Sequence, residues 1–329
     1  MEVVFKLVTK KIEALTVSTN VTKILKDTEV KSSKRKITVE KALEILNRQM
    51  KINGIRERTL KDYNLIFNQF AEFNNVTYLE EFSAQSIYDW LDSMDVSKVT
   101  KKNRLKYVKA MLTKCYDNGW FENRFWNTIQ IRIERTIKDG AKQNDLNVLL
   151  SLLDTSTFIG LRDAVAVLTL FRTGVRINTL GQIQESHIDF EDKTLCLTGD
   201  IMKNHKILKL PLDDQLLELY KILIEQNQKL RRHYRQKNDF LFITVKGESV
   251  MGKATSNSIA KQLYKYSKRY NLPNINAHSI RRAYAKDLLE KGASVALISK
   301  ALGHSSLDVT TQYLDLEVDE VANNLRDFL

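Results

Sequence analysis

The chain has 329 residues, of which 43 % are apolar and 28 % charged, with a net charge of +12 and a pI near 9.4. That length suits two domains, and the basic excess points to a polyanionic partner: DNA, RNA or an anionic membrane surface. No apolar run approaches the roughly 20 residues of a spanning helix, the start MEVVFKLVTKKIEAL lacks the marks of a secretory signal, and Cys115 and Cys196 have no CxxC partner. A disulfide framework and a zinc cage are therefore not expected, and a reducing cytoplasm is the expected setting.

Only two prolines and 11 glycines interrupt the chain, which suits a mainly helical protein. Residues 1–36 end in the basic stretch KSSKRK and read as an arm or linker. From Thr38 to about Asn75, apolar residues recur at helical spacing: Ala42, Leu43 and Leu46, then Leu60, Tyr63, Leu65, Ile66, Phe67, Phe70 and Phe73. Asn53–Gly54 separates these two helices. A third is expected from Ser83, its cap, to Leu91, with Ile87, Trp90 and Leu91 on one face. A fourth spans about Ser97 to Asn118, with an apolar stripe of Leu105, Val108, Leu112 and Cys115.

Beside that stripe stand Lys102, Lys106 and Lys109. They read equally as a solvated face and as a face that tracks phosphates. The helices form a domain over residues 37–128, and the polar stretch RIERTIKDGAKQND places a linker at 129–145. The second domain opens with helices near Asn147–Leu153 and Leu161–Thr173. TLCLT and HKILKLPL then alternate around a polar turn, as a β-hairpin does, and DFLFITVKG is another short extended stretch. Helices return over Ser256–Tyr270, His278–Lys291 and Val295–Leu302.

Four places carry residues suited to chemistry. Arg176 follows directly on a helix that ends at Thr173–Gly174, so a rigid turn aims a planar fork of donors able to clamp a phosphate. Taken alone, such an arginine is more often solvated. Lys203 sits at the hairpin tip, where a lysine is ordinarily just solvated too. His278 and Arg281, three apart on one helix, share a face, and Arg282 points about 100° away. In ALGH a helix ends at Gly303 and sets His304 in the turn behind it. Tyr313 follows nine residues later in TTQYLDL.

Each piece is weak by itself, but the order TGVRINTL, hairpin lysine, HSIRRAYA, LGHSSLDVTTQY resembles the tyrosine recombinase family, also called phage integrases. The likeness covers Gly160 to Leu316, and more loosely Thr38 to Asn127, which looks like that family's core-binding domain. It implies a mainly α fold with a small β-sheet: an all-helical core DNA-binding domain, then a mixed α/β catalytic domain over 146–316. It further implies a site-specific DNA recombinase, with integration or excision of a mobile element or phage as the expected task. Matched residue by residue, Arg176, Lys203, His278, Arg281, His304 and Tyr313 form the catalytic set, with Tyr313 the nucleophile of a 3′-phosphotyrosyl intermediate.

No metal and no cofactor is implied. The implied partners are double-stranded DNA, three further copies of the chain on two duplexes, and an accessory DNA-bending or excision factor. Residues 317–329, EVDEVANNLRDFL, space Val318, Val321, Leu325 and Leu329 as a helix. That tail either covers its own core or, as the family suggests, docks on a neighbouring subunit. One position departs from the pattern: three after the first arginine the family has an acid and this chain has Thr179, so a backbone carbonyl or another carboxylate must hold Arg176. Three other readings stand beside the main one: a chromosome-dimer-resolving recombinase, a type IB topoisomerase that relaxes DNA without site preference, and a DNA-binding regulator that does not cut.

Overall fold

The computed structural model describes residues 36–133, 139–202, 205–252, 257–304 and 306–314, the side chains of Gln312 and Tyr313 excepted. The chain divides into two compact units, Met1–Arg135 and Thr136–Leu329. Of the basic arm and the C-terminal tail expected at the two ends, only Lys36 is among the described residues.

The first unit holds helices α1 (Val39–Ile52), α2 (Glu57–Phe73), α3 (Ala84–Asp92) and α4 (Lys98–Asp117). Side-chain caps start three of them: Thr38, Ser83 and Ser97 each accept from a backbone N–H in the first turn. The break at Asn53–Gly54 is a left-handed turn, with Gly54 at φ +71°. Their apolar faces meet in a core where Phe70 stacks on Phe82 at 4.7 Å and meets Trp90 edge-on at 5.2 Å. Trp126 and Ile129, beyond the last helix, complete that core.

The second unit is built around α6 (Phe158–Thr173), preceded by α5 (Gln143–Leu152). Nearly every side of α6 is covered, so its charged residues need internal partners. Arg162 donates to Asp163 Oδ1 from Nε and Nη2 at 2.9 and 2.7 Å and to the Ile243 carbonyl at 3.1 Å. Tyr266 donates to Asp163 Oδ2 at 2.7 Å. After the short α7 (Ile177–Leu180) comes an antiparallel sheet in the order β1 (Ile188–Asp189), β2 (Thr194–Leu197), β3 (Leu208–Pro211). Its register pairs Leu195 with Leu210 and Leu197 with Leu208, which sends Leu195, Leu197 and Leu210 into the core.

Then follow α8 (Asp214–Tyr234), α9 (Ser258–Arg269), α10 (Ala277–Glu290), α11 (Val295–Ala301) and α12 (Leu307–Leu314). The expected fold class, mainly helical with one small sheet, is what these elements make.

Three local differences have physical causes. Helix α8 is absent from the sequence reading, although Asp213 caps it and Leu216, Leu217, Tyr220 and Leu223 line its buried face. DFLFITVKG is not a sheet strand: Leu241, Phe242 and Ile243 are all buried in succession. Its backbone is satisfied by Asn227, which donates to Leu241 O at 2.8 Å, and by Arg162, and the third strand is Ile188–Asp189 instead. The segment expected as linker is packed at both ends, since Ile129 belongs to the first core and Ala141 to the second.

Candidate active site

The end of α6 shows why an arginine can be aimed from here. Gly174 terminates the helix at φ +61°, its N–H donating to Leu170 O at 3.0 Å. A Cβ on it would run into the Tyr284 ring, so both the backbone angle and the space demand glycine. Arg176 emerges two residues later as the cap of α7.

A second helix end faces it. Helix α11 closes with the N–H of Gly303 bonding Lys300 O at 2.9 Å and that of His304 bonding Ser299 O at 3.0 Å, around a Gly303 at φ +59°. This is the paired closure of a Schellman turn, and it turns the next two carbonyls, Leu302 and Gly303, outward from the helix. Both are used. Arg176 donates to Gly303 O from Nη1 and Nη2, at 3.4 Å each. Arg281, on α10, donates to Leu302 O at 2.5 Å and also to Gly174 O.

Arg281 is only 2 % exposed. Its Nη2 stands 3.1 Å from His304 Nε2, and His304 Nδ1 stands 2.8 Å from Thr310 Oγ1. Arg176, Arg281 and His304, drawn from three separate stretches, thus form one connected cluster. Carbonyl partners orient a guanidinium without cancelling its charge. That charge is felt next door: burial first, then Arg281 and Arg176, push the His304 imidazole from its usual range down to about 4. The ring is therefore neutral at pH 7, and it accepts from Arg281 rather than donating.

Thr179, the residue where an acid was expected, is buried and donates to the Ile201 carbonyl at 3.4 Å. The Gly303 carbonyl stands in as an anchor of Arg176, one of the two substitutes the sequence left open.

The remaining expected residues fall differently. His278 is exposed in the first turn of α10, its backbone N–H donating at 3.1 Å to the Asn276 cap. It lines a cavity of about 420 Å³ with Asp139, Asn274, Asn276 and Arg282. Arg282 donates to Asp139 O at 3.1 Å and so straps the preceding chain onto α10. Gly140 makes that close approach possible, since a Cβ there would meet the Ala283 nitrogen at 2.9 Å. Tyr313 lies on α12, which Leu314 anchors in a small core with Tyr284, Ile298 and Leu302. Its side chain lies outside the described residues, as does Lys203 altogether.

In the first unit Lys102 and Lys106 are exposed on α4, while Lys109 donates to the carbonyls of Asn127 and Ile129 at 3.2 and 3.0 Å. Lys109 therefore closes its own domain. Sequence reasoning missed Thr310 and the carbonyls of Gly174, Leu302 and Gly303. The only trace of the latter was their neighbouring glycines.

Among the described residues no group of three or more His, Cys, Asp or Glu side chains could hold a metal ion, and no helix is long and apolar enough to cross a membrane. What the cluster can do is receive an anion: two fixed, always-charged forks border it, in a partly buried setting where their field is strong.

Residues 141–320 match the model of the phage integrase family. The chain is 27 % identical over 219 residues to tyrosine recombinase XerC of Chlamydia caviae, covering 66 % of this chain and 67 % of that one. Among solved structures it is similar to the Tn1549 transposon integrase in complex with transposon right end DNA, with a TM-score of 0.68 and 15 % identity, covering 88 % of this chain and 99 % of that one. A second is the XerH site-specific recombinase bound to palindromic difH substrate, with a TM-score of 0.66 and 20 % identity over 86 % and 83 % of the two chains. At these identities the structural likeness speaks for the fold.

Proposed function

The chain belongs to the phage integrase family, and from that premise we propose how this molecule cleaves and rejoins DNA as a site-specific recombinase and which residues do it. The observation that carries the reading is the convergence of Arg176, Arg281 and His304 at two facing helix ends. Attack on a phosphodiester spreads negative charge over the non-bridging oxygens, so catalysis consists of positioning and of cationic donors held where that charge develops. Arg176 and Arg281 supply those donors.

Tyr313, on the helix that follows His304, attacks phosphorus through its phenolate oxygen. The bond from phosphorus to the 5′-oxygen breaks as the 3′-phosphotyrosyl bond forms. His278 takes the phenol proton and Lys203 delivers one to the leaving 5′-oxygen. The new linkage conserves the phosphodiester, so reversal by another 5′-hydroxyl reseals the strand without ATP. An approaching phosphate also changes His304: its negative charge favours the imidazolium, which can then donate from Nε2 as well.

The task we assign is integration or excision of a mobile element, by four copies of the chain on two duplexes. The Tn1549 structure, a transposon integrase on transposon end DNA, supports that assignment. The relatives named XerC keep the chromosome-dimer-resolving reading as its alternative.

The test is a nicked suicide substrate carrying the element's own end. Wild type is expected to accumulate a covalent protein–DNA adduct, and Tyr313→Phe to bind the same DNA without forming one. An adduct that persists in Tyr313→Phe would overturn the assignment of the nucleophile. Relaxation of supercoiled DNA irrespective of sequence would favour the topoisomerase reading, and absence of any adduct the non-cutting regulator.

A further inference from the structure

Thr310 lies on α12, three residues before Tyr313, and is wholly buried. Its Oγ1 stands 2.8 Å from Nδ1 of His304, and on the opposite edge of that ring Nε2 stands 3.1 Å from Nη2 of Arg281. These two contacts are not interchangeable. A guanidinium has donors and no acceptor, so the ring nitrogen that faces it must present a lone pair. The same ring is neutral, being buried beside two positive charges. Its one N–H therefore sits on Nδ1 and donates to the Thr310 hydroxyl oxygen.

We propose that Thr310 is a positioning residue of the recombination site, which accepts the Nδ1–H of His304 and so ties its ring to the helix that carries Tyr313. The inference rests on the functional reading above and deepens it. The orientation of the His304 ring, and with it the direction of its Nε2 edge, is held by a hydroxyl on the nucleophile's own helix. A ring held by Nδ1–H can gain its second proton only at Nε2, the edge turned toward the arginines, so the arriving phosphate meets a correctly directed donor. That hydrogen bond also makes the placement of α12 a condition for the placement of His304. A Val at this position would fill the space and leave the Nδ1–H without an acceptor to hold the ring in place.

The experiment compares Thr310→Val and Thr310→Ser with wild type in the full-length chain. Single-turnover adduct formation on the suicide substrate is expected to fall on the order of tenfold in Thr310→Val, by misorientation of a reacting-site group. DNA affinity should hold in that variant. Thr310→Ser keeps the oxygen and is expected to restore most of the rate. In parallel, 15N chemical shifts and proton exchange of the His304 ring, assigned with His304→Gln, should report a protected Nδ1–H in wild type and Thr310→Ser and a rapidly exchanging one in Thr310→Val.

Equal rates in Thr310→Val and wild type, equal loss in both variants, or an Nε2–H tautomer in wild type would each overturn the proposal. The nitrogen shifts are read on DNA-free protein, so they test Thr310 even if wild type forms no adduct. That last outcome would instead count against the function itself.

Discussion

One pair of lysines in the first unit and one arginine in the second are placed in opposite ways. On α4 of the first, Lys102 and Lys106 stand in solvent, where a lysine costs nothing and its presence says little. In the second, Arg281 is buried and held by backbone carbonyls at the meeting of two helix ends. Taking a guanidinium out of water costs several kcal/mol unless its donors are satisfied. A fold that accepts that cost with neutral carbonyls as anchors preserves a positive charge at a chosen point. Location, more than residue type, separates a held cation from a solvated one.

The strongest way to break this contrast is Arg281 itself. Arg281→Ala is expected to lower single-turnover cleavage at least ~10²-fold, as loss of one charge-stabilising donor does elsewhere. Arg281→Lys keeps the charge and loses the fork, and should recover little of that rate. Gel-shift affinity and adduct yield, measured together, check both; a Lys variant that cleaves normally would show that the buried fork is irrelevant.

A pair of glycines sharpens the comparison next. Gly174→Ala meets a left-handed backbone and the Tyr284 ring, while Gly54→Ala in the first unit meets the same kind of backbone and open space. The first should cost about 2–5 kcal/mol, from strain plus overpacking, and the second about 1–2 kcal/mol. Thermal unfolding of the two variants reads the difference, and equal shifts would contradict the packing around Gly174.

The third prediction concerns acid. His304 ionises near pH 4 in the fold and in its ordinary range when unfolded. Between about pH 6.5 and 4 the unfolded chain therefore binds the extra proton, so the second unit loses stability as pH falls through that window. Denaturant midpoints at pH 7 and pH 5 should drop less in His304→Gln than in wild type. The reverse ordering would mean that the ring is not buried beside the arginines.

The smallest effect tests α4. If Lys102 and Lys106 neutralise phosphates, replacing both with Ala should reduce the salt slope of log K for DNA by about 0.9 for each phosphate no longer neutralised. Lys109→Ala should leave that slope alone and cost about 1 kcal/mol of domain stability, since its hydrogen bonds go to Asn127 and Ile129. A smaller slope in Lys109→Ala would return that lysine to the DNA-facing set.

Much of this was legible beforehand, and for definite reasons. Caps and glycines are local, so Thr38, Ser83, Ser97, Gly54 and Gly303 marked their helix ends correctly. Amphipathic period placed α1 to α4 and most of the second unit. It failed where burial is not periodic, at Leu241–Phe242–Ile243, and α8 went unread despite its cap and apolar face. Of the six expected reacting residues, Arg281 and His304 meet in hydrogen-bonded contact, Arg176 is bonded to the Gly303 carbonyl beside them, and His278 shares α10 with Arg281 at an exposed turn.

Residue order alone supplied the family likeness, the helical class and the candidates for the reacting side chains, because those follow from short motifs and from periods of a few residues. Folding settled who holds whom. Arg176 rests on a carbonyl 127 positions away and Arg281 on one 107 positions away. Every residue carries such a carbonyl, so side-chain identity gives no hint of which one will be turned toward a guanidinium. Only the packing of α6, α10 and α11 against one another selects them, and with them the tautomer of His304 and the neighbour it finds in Thr310.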